Sequence, residues 1–115
     1  MMSNNRSSPI RINGFQIDLG DALPQHVRER LLTTTETYFQ ELKHASVGFR
    51  REGQSYCCTI NIQVGNFRVM IGEASAPDCY RAFDLALEKV AVQLRRRKRR
   101  LDGAVREEVR AGATA

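Results

Sequence analysis

The chain has no tryptophan, and five phenylalanines and three tyrosines are its whole aromatic content. It therefore offers no aromatic-rich helix face of the kind that lies flat on a membrane, and no apolar run approaches the length of a membrane span. Its three cysteines, Cys57, Cys58 and Cys79, include an adjacent pair and no C-x-x-C spacing. Adjacent cysteines rarely pair, and the odd count leaves a free thiol, so a reducing, cytoplasmic setting is expected, and no metal site. Neither a G-x-x-x-x-G-K-[ST] nor a G-x-G-x-x-G loop occurs, which removes the local signals for nucleotide binding.

Catalytic chemistry is equally short of parts. His26 and His44 stand apart from any Ser or Cys arrangement, and His26 reads as a surface side chain of the first helix. Cys58 falls on an apolar strand face and is expected in the core, Cys57 as an inert exposed thiol. Cys79 opens a helix, one ingredient for a lowered pKa, but no partner is evident. The chain is expected not to be an enzyme, and to need no cofactor and no small-molecule substrate.

What is abundant is positive charge, and it is unevenly placed. Net charge is +5, yet residues 79–101 alone hold eight basic residues against two acidic ones. Six of the eight are consecutive: Arg95, Arg96, Arg97, Lys98, Arg99 and Arg100. Helix dipoles stabilise one or two cations at a helix C-terminus, not six that repel one another. A polyanion is the partner this run implies. An acidic membrane is a poor fit, because the face opposite the charges is committed to the core.

At 115 residues there is room for one domain, and a 42% apolar share is enough for its core. Residues 1–9 read as a disordered leader, residues 10–101 as the folded domain, and residues 102–115 as a frayed tail or the start of a linker. Ile10 and Ile12 alternate into a first strand that ends or kinks at Gly14, with Ile17 and Leu19 as an extension. Asp21 and Pro24 open a helix carrying Leu23, Val27, Leu31, Thr34 or Thr35, then Tyr38, Phe39 and Leu42, although the Thr33-Thr34-Thr35 run is poor helix material. A strand at residues 45–51 follows, turning at Gly53. In the next strand Tyr56, Cys58, Ile60, Ile62 and Val64 share one face; Cys57, Thr59, Asn61 and Gln63 share the other, polar one, with Arg68.

Gly65-Asn66 has the chemistry of a two-residue hairpin turn, which would pair Val64 with Phe67, Ile62 with Val69 and Ile60 with Ile71. Asp78 is a candidate N-cap for the last helix, whose stripe is Tyr80, Phe83, Leu87, Val90, Ala91 and Leu94. Past Leu94 only Lys98 is expected on that face before Leu101, so core contact should end near Leu94 and the basic run should form a collar beyond it. The predicted fold class is α+β in the order β-α-β-β-β-α, a four-stranded, mostly antiparallel sheet with two helices packed on one face.

Two blocks then carry a family resemblance over residues 10–101. The first is Ile12-Asn13-Gly14-Phe15-Gln16-Ile17-Asp18-Leu19-Gly20-Asp21-Ala22-Leu23, with Val27, Arg30 and Tyr38-Phe39 after it. The second is Asp78-Cys79-Tyr80-Arg81-Ala82-Phe83-Asp84, with Lys89, Gln93-Leu94 and the basic run. The chain resembles the ribosome hibernation promoting factors, also called ribosome-associated inhibitor or sigma-54 modulation proteins.

The resemblance implies the same fold and a non-enzymatic, cofactor-free factor that stabilises idle ribosomes and blocks translation in stationary phase or stress. It would bind small-subunit rRNA in the channel for mRNA and tRNA anticodon ends. By position it marks Arg30, Lys89, Arg96, Lys98 and Arg100 as RNA-binding. Arg81 joins them from the second block, and Arg95, Arg97 and Arg99 as added charge. Phe15 and Val92 depart from the family pattern. Some members carry a further C-terminal domain that pairs two ribosomes, so pairing is expected only if such a domain lies beyond this chain. A free double-stranded-RNA-binding module and a protein-interaction regulator of sigma-54-dependent transcription are the alternatives.

Overall fold

The computed structural model describes residues 9–38 and 42–114. Strand β1 (Ile10–Phe15) is followed by helix α1 (Ala22–Tyr38), strands β2 (Leu42–Glu52), β3 (Ser55–Val64) and β4 (Met70–Ala76), and helix α2 (Cys79–Thr114). The sheet order is β1-β2-β3-β4. β1 runs parallel to β2 and the other two pairs are antiparallel. This is the predicted α+β order. Both helices cover one face, where Ile10, Leu23, Val27, Leu31, Val47, Phe49, Cys58, Ile60, Ile62, Phe83, Val90 and Leu94 form a single core.

β1 does not continue through Ile17 and Leu19. It ends at Phe15, and Gln16 takes a left-handed turn at φ 57°. Residues 17–19 fold back over the helix side of β1, so close that a Cβ on Gly14 would lie 2.6 Å from the Ile17 carbonyl oxygen. Gly14 is thus a site of close approach inside the strand, not its end. Leu42 belongs to β2, not to the stripe of α1. Residues 1–8 of the expected leader and the Phe39 position lie outside the described residues.

In α1 the threonines bond backward along the helix. Thr33 Oγ1 donates to the Glu29 carbonyl (2.8 Å), Thr35 to Leu31 (3.0 Å) and Thr37 to Thr33 (2.9 Å). These bonds satisfy hydroxyls that would otherwise compete with the helix. Thr35 is fully buried and its hydroxyl needs that partner.

The hairpin between β3 and β4 departs from the expected register. Ile62 pairs with Met70 and Ile60 with Gly72, one residue away from Val69 and Ile71. The slip turns Met70 and Gly72 inward and leaves Val69 and Ile71 exposed. The cause is α2: a Cβ on Gly72 would sit 2.5 Å from the Ala86 carbonyl oxygen and 2.8 Å from Val90 Cγ2. An inward Ile71 has no room there. The tight two-residue turn is instead Gly53-Gln54, which joins Glu52 to Ser55 with Gly53 at φ 62°. Residues 65–69 form a longer loop in which Phe67 N donates to the Val64 carbonyl (3.1 Å) and Gln63 Nε2 to the Phe67 carbonyl (3.1 Å).

Asp78 caps α2 as expected: its Oδ1 accepts from Arg81 N at 2.9 Å, and its carbonyl from Ala82 N at 3.0 Å. The buried stripe is Ala82, Phe83, Ala86, Leu87, Val90 and Leu94. Tyr80, expected in the stripe, is exposed, and Ala91 is half-buried. Small residues at 82 and 86 bring the helix axis close to β4 and rotate Tyr80 out. Nor does the helix end near Leu101: its backbone continues to Thr114. Residues 104–110 are mostly Ala, Arg and Glu, good helix formers with no proline to stop them. At about 1.5 Å per residue, α2 is roughly 54 Å long, close to the 60 Å greatest extent of the molecule.

Candidate nucleic-acid interface

The basic run begins one residue after the last core contact. Leu94 is fully buried, and Arg95, Arg96, Lys98, Arg99 and Arg100 are exposed. None of these five makes a side-chain hydrogen bond, ion pair or ring contact with another described residue. They are a dense set of cations on one helix, unneutralised by any described residue.

Arg97 differs. It is half-buried, and its guanidinium carbon lies 5.7 Å from the centre of the Phe67 ring. The residue on the body side of the helix past Leu94 is therefore Arg97, not Lys98, which is exposed. Lys89, Gln93 and Arg97 stand four apart and so share one helix face. Lys89 Nζ donates to the Glu73 carbonyl (2.7 Å) and Gln93 Nε2 to the Ile71 carbonyl (2.8 Å). The row clamps the outer edge of β4 and the loop before it. It also occupies backbone acceptors that an edge strand otherwise presents to other chains. Gln93 was legible only as part of a motif; its clamping role follows from the i, i+4 spacing once the β4 edge is known.

Arg30 on α1 and Arg81 on α2 are both exposed and line one groove of about 410 Å³ between the helices, together with Asp84 and Glu88. That groove is charge-balanced. Arg81 and Arg95 are about 21 Å apart along α2. Exposed charges that far apart are screened from each other at physiological salt. The sequence-marked cations thus form two groups, the run at residues 95–100 and the Arg30–Arg81 pair, with Lys89 apart from both on the Glu73 carbonyl.

His26 is not a free surface residue. Its Nε2 lies 3.3 Å from Asp84 Oδ1, and its ring centre is 5.2 Å from Tyr80 and 5.7 Å from Phe83. It ties α1 to α2 at the upper end of the groove. Cys57, expected to be exposed, is 2% exposed and buried on the open face of the sheet. Its register neighbours are Arg50 and Ser75. Next to it Arg50 bridges Glu52 (3.3 Å) and Glu73 (3.4 Å), and these long side chains roof the thiol. Cys58 is in the core as expected, and burial, with the neighbouring Cys57 and Cys79, pushes its thiol up to about 12. Cys79 is also raised, by burial and then by Asp78, so the helix start does not activate it. Among the described residues no group of three or more His, Cys, Asp or Glu could hold a metal ion, and no helix is long and apolar enough to cross a membrane.

Residues 10–102 match the family described as sigma 54 modulation protein / S30EA ribosomal protein. A curated relative, the ribosome hibernation promotion factor of Rhizobium meliloti (strain 1021), is 27% identical over 94 residues, covering 80% of this chain and 48% of the relative. The chain spans about half the length of that relative. The crystal structure of the Thermus thermophilus Protein Y N-terminal domain is similar at TM-score 0.67 and 23% identity, covering 75% of this chain and 93% of that one. A ribosomal subunit interface protein from Coxiella burnetii is similar at TM-score 0.67 and 20% identity, with 77% and 96% covered. The two solved structures share the fold.

Proposed function

The chain belongs to the sigma 54 modulation protein / S30EA ribosomal protein family, and from that premise we propose that it silences translation by docking on the small ribosomal subunit. The observation that carries this reading is the set of five exposed cations on α2 just past Leu94, none of them paired with another described residue. Its relatives named for ribosome hibernation and for the subunit interface support the same partner.

In this proposal α2 enters the channel that mRNA and tRNA anticodon ends use. Arg95, Arg96, Lys98, Arg99 and Arg100 replace counterions on rRNA phosphates. Arg suits this role because its planar fork meets phosphate oxygens in pairs and stacks on exposed bases. Arg30 and Arg81 make a second, weaker contact. Lys89 and Arg97 act mainly by holding β4 and its loop against α2, which fixes the direction of the rod. Occupying the channel excludes mRNA and tRNA and keeps idle subunits intact during stationary phase or stress in the cytoplasm. No bond is made or broken, so no catalytic group or cofactor is called for.

A sucrose-gradient profile tests the reading. The parent protein should travel with small subunits at low salt. Reversing charge at Arg96, Lys98 and Arg100 together should leave the fold intact and move the protein to the top of the gradient. Continued co-sedimentation of the folded triple variant would remove the run from the contact.

A further inference from the structure

The face of the sheet opposite the helices holds a hollow that the proposed docking does not use. It measures about 310 Å³ and is lined by Asn13, Phe15, Gly48, Arg50 and Thr59 with adjoining backbone. Gly48 is its floor, and a Cβ there would meet nothing within 4 Å. Asn13 and Thr59 flank Gly48 across the sheet, and Phe15 and Arg50 are register partners one row along. Phe15 is 69% exposed, the most exposed large apolar side chain among the described residues. It is left bare because the chain turns away at Gln16 and folds over the other face.

The chemistry of these walls is selective. Arg50 is held in place by Glu52 and Glu73, and Thr59 Oγ1 donates to Glu73 at 2.8 Å. Two carboxylates beside the guanidinium repel a phosphate, and the Arg50 side chain is still 46% exposed. The amides of Asn13 and, farther along the face, Asn61 bond to no other described residue and present both donors and acceptors. A bare aromatic ring, a fixed guanidinium plane, an open floor and a free amide match a flat heteroaromatic ring with a hydrogen-bonding edge. RNA-binding proteins use such groups on unstacked bases, whereas cations elsewhere on them hold phosphates.

We infer that this hollow takes a nucleobase from a single-stranded RNA segment, stacked on Phe15 and Arg50 with its edge read by Asn13. The inference deepens the proposed rRNA docking and rests on it. The net charge of +5, concentrated on α2, draws RNA to the molecule, and the open face then engages a base on the other side. The protein would be gripped from both faces: by phosphates at the α2 run and by a base at β1–β2.

The absence of tryptophan makes the test direct. A Phe15→Trp variant carries one tryptophan, in the hollow, which is excited selectively over the three tyrosines. Its fluorescence should be quenched by a short oligoadenylate at low salt and unaffected by an abasic oligonucleotide of equal length. Phe15→Ala should bind labelled oligoadenylate roughly fivefold or more weakly, and Phe15→Tyr should restore binding. Adding the reversals at Arg96, Lys98 and Arg100 should abolish co-sedimentation with small subunits but keep the quench at saturating RNA. Emission that stays constant while anisotropy shows RNA bound would overturn the inference, as would equal quenching by the abasic strand. Quenching by an apolar peptide but not by RNA would make the hollow a peptide site instead. A silent Trp with intact subunit binding rejects the hollow alone; a quench with reversal-insensitive subunit binding rejects the α2 contact alone.

Discussion

The guanidinium of Arg97 stands 5.7 Å over the ring of Phe67, and this contact divides a run of six cations into one that belongs to the fold and five that do not. The division follows from helical phase. Position 97 lies three residues past Leu94 and four past Gln93, so it faces the body, and the other five turn outward. Replacing Arg97 by Ala should cost about 1 kcal/mol of stability in urea unfolding, as expected for a partly desolvated cation–π contact. Arg96→Ala should leave stability within about 0.5 kcal/mol of the parent. Equal effects of the two substitutions would show that Arg97 is not packed on Phe67.

Gly72 is where α2 comes nearest to the sheet. Gly72→Ala puts a methyl group 2.5 Å from the Ala86 carbonyl oxygen, a backbone atom that cannot swing aside. Destabilisation of about 3 kcal/mol is expected, at the upper end for overpacking. Gly48→Ala meets empty space on the open face and should change stability by no more than about 0.5 kcal/mol. Thermal or urea unfolding of the pair gives the comparison. A mild effect at Gly72 would mean that the helix can lift from β4 at little cost.

Glu73 sets an acid limit on the open face. Its carboxyl is held below its ordinary 4.5, first by the Thr59 hydroxyl and then by Arg50. A carboxylate with a lowered folded pKa stabilises the fold above its unfolded pKa, and the benefit is lost as pH falls through the folded value. Glu73→Gln should therefore be less stable than the parent at neutral pH, and the difference should close once the pH drops below the carboxylate range. A stability gap that stays constant through that range would show that Glu73 acts by shape and not by charge.

These outcomes also mark what the sequence could and could not disclose. Alternation in residues 56–64 and the stripe through Phe83, Leu87, Val90 and Leu94 gave the element order, because both are local and periodic. The register of β4 was not local. Gly65-Asn66 carries good hairpin chemistry, but the choice between Ile71 and Gly72 is made by α2, which packs above the strand and comes later in the chain. The burial of Cys57 is not local either. Its alternation puts it correctly on the polar face, but its burial comes from Arg50 and Glu73 on neighbouring strands. The cations of residues 95–100 were evident as charge; which of them is bound into the fold depended on where Phe67 sits.

The central claim is that the exposed cations of α2 bind RNA phosphates, and the salt dependence of affinity for isolated small subunits tests it most directly. Five phosphate contacts by the run alone contribute about −3.5 to −4.5 to the log–log slope. Alanine at Arg96, Lys98 and Arg100 together should make that slope shallower by about 2 to 3. A slope that is the same for the parent and the triple variant would contradict the account.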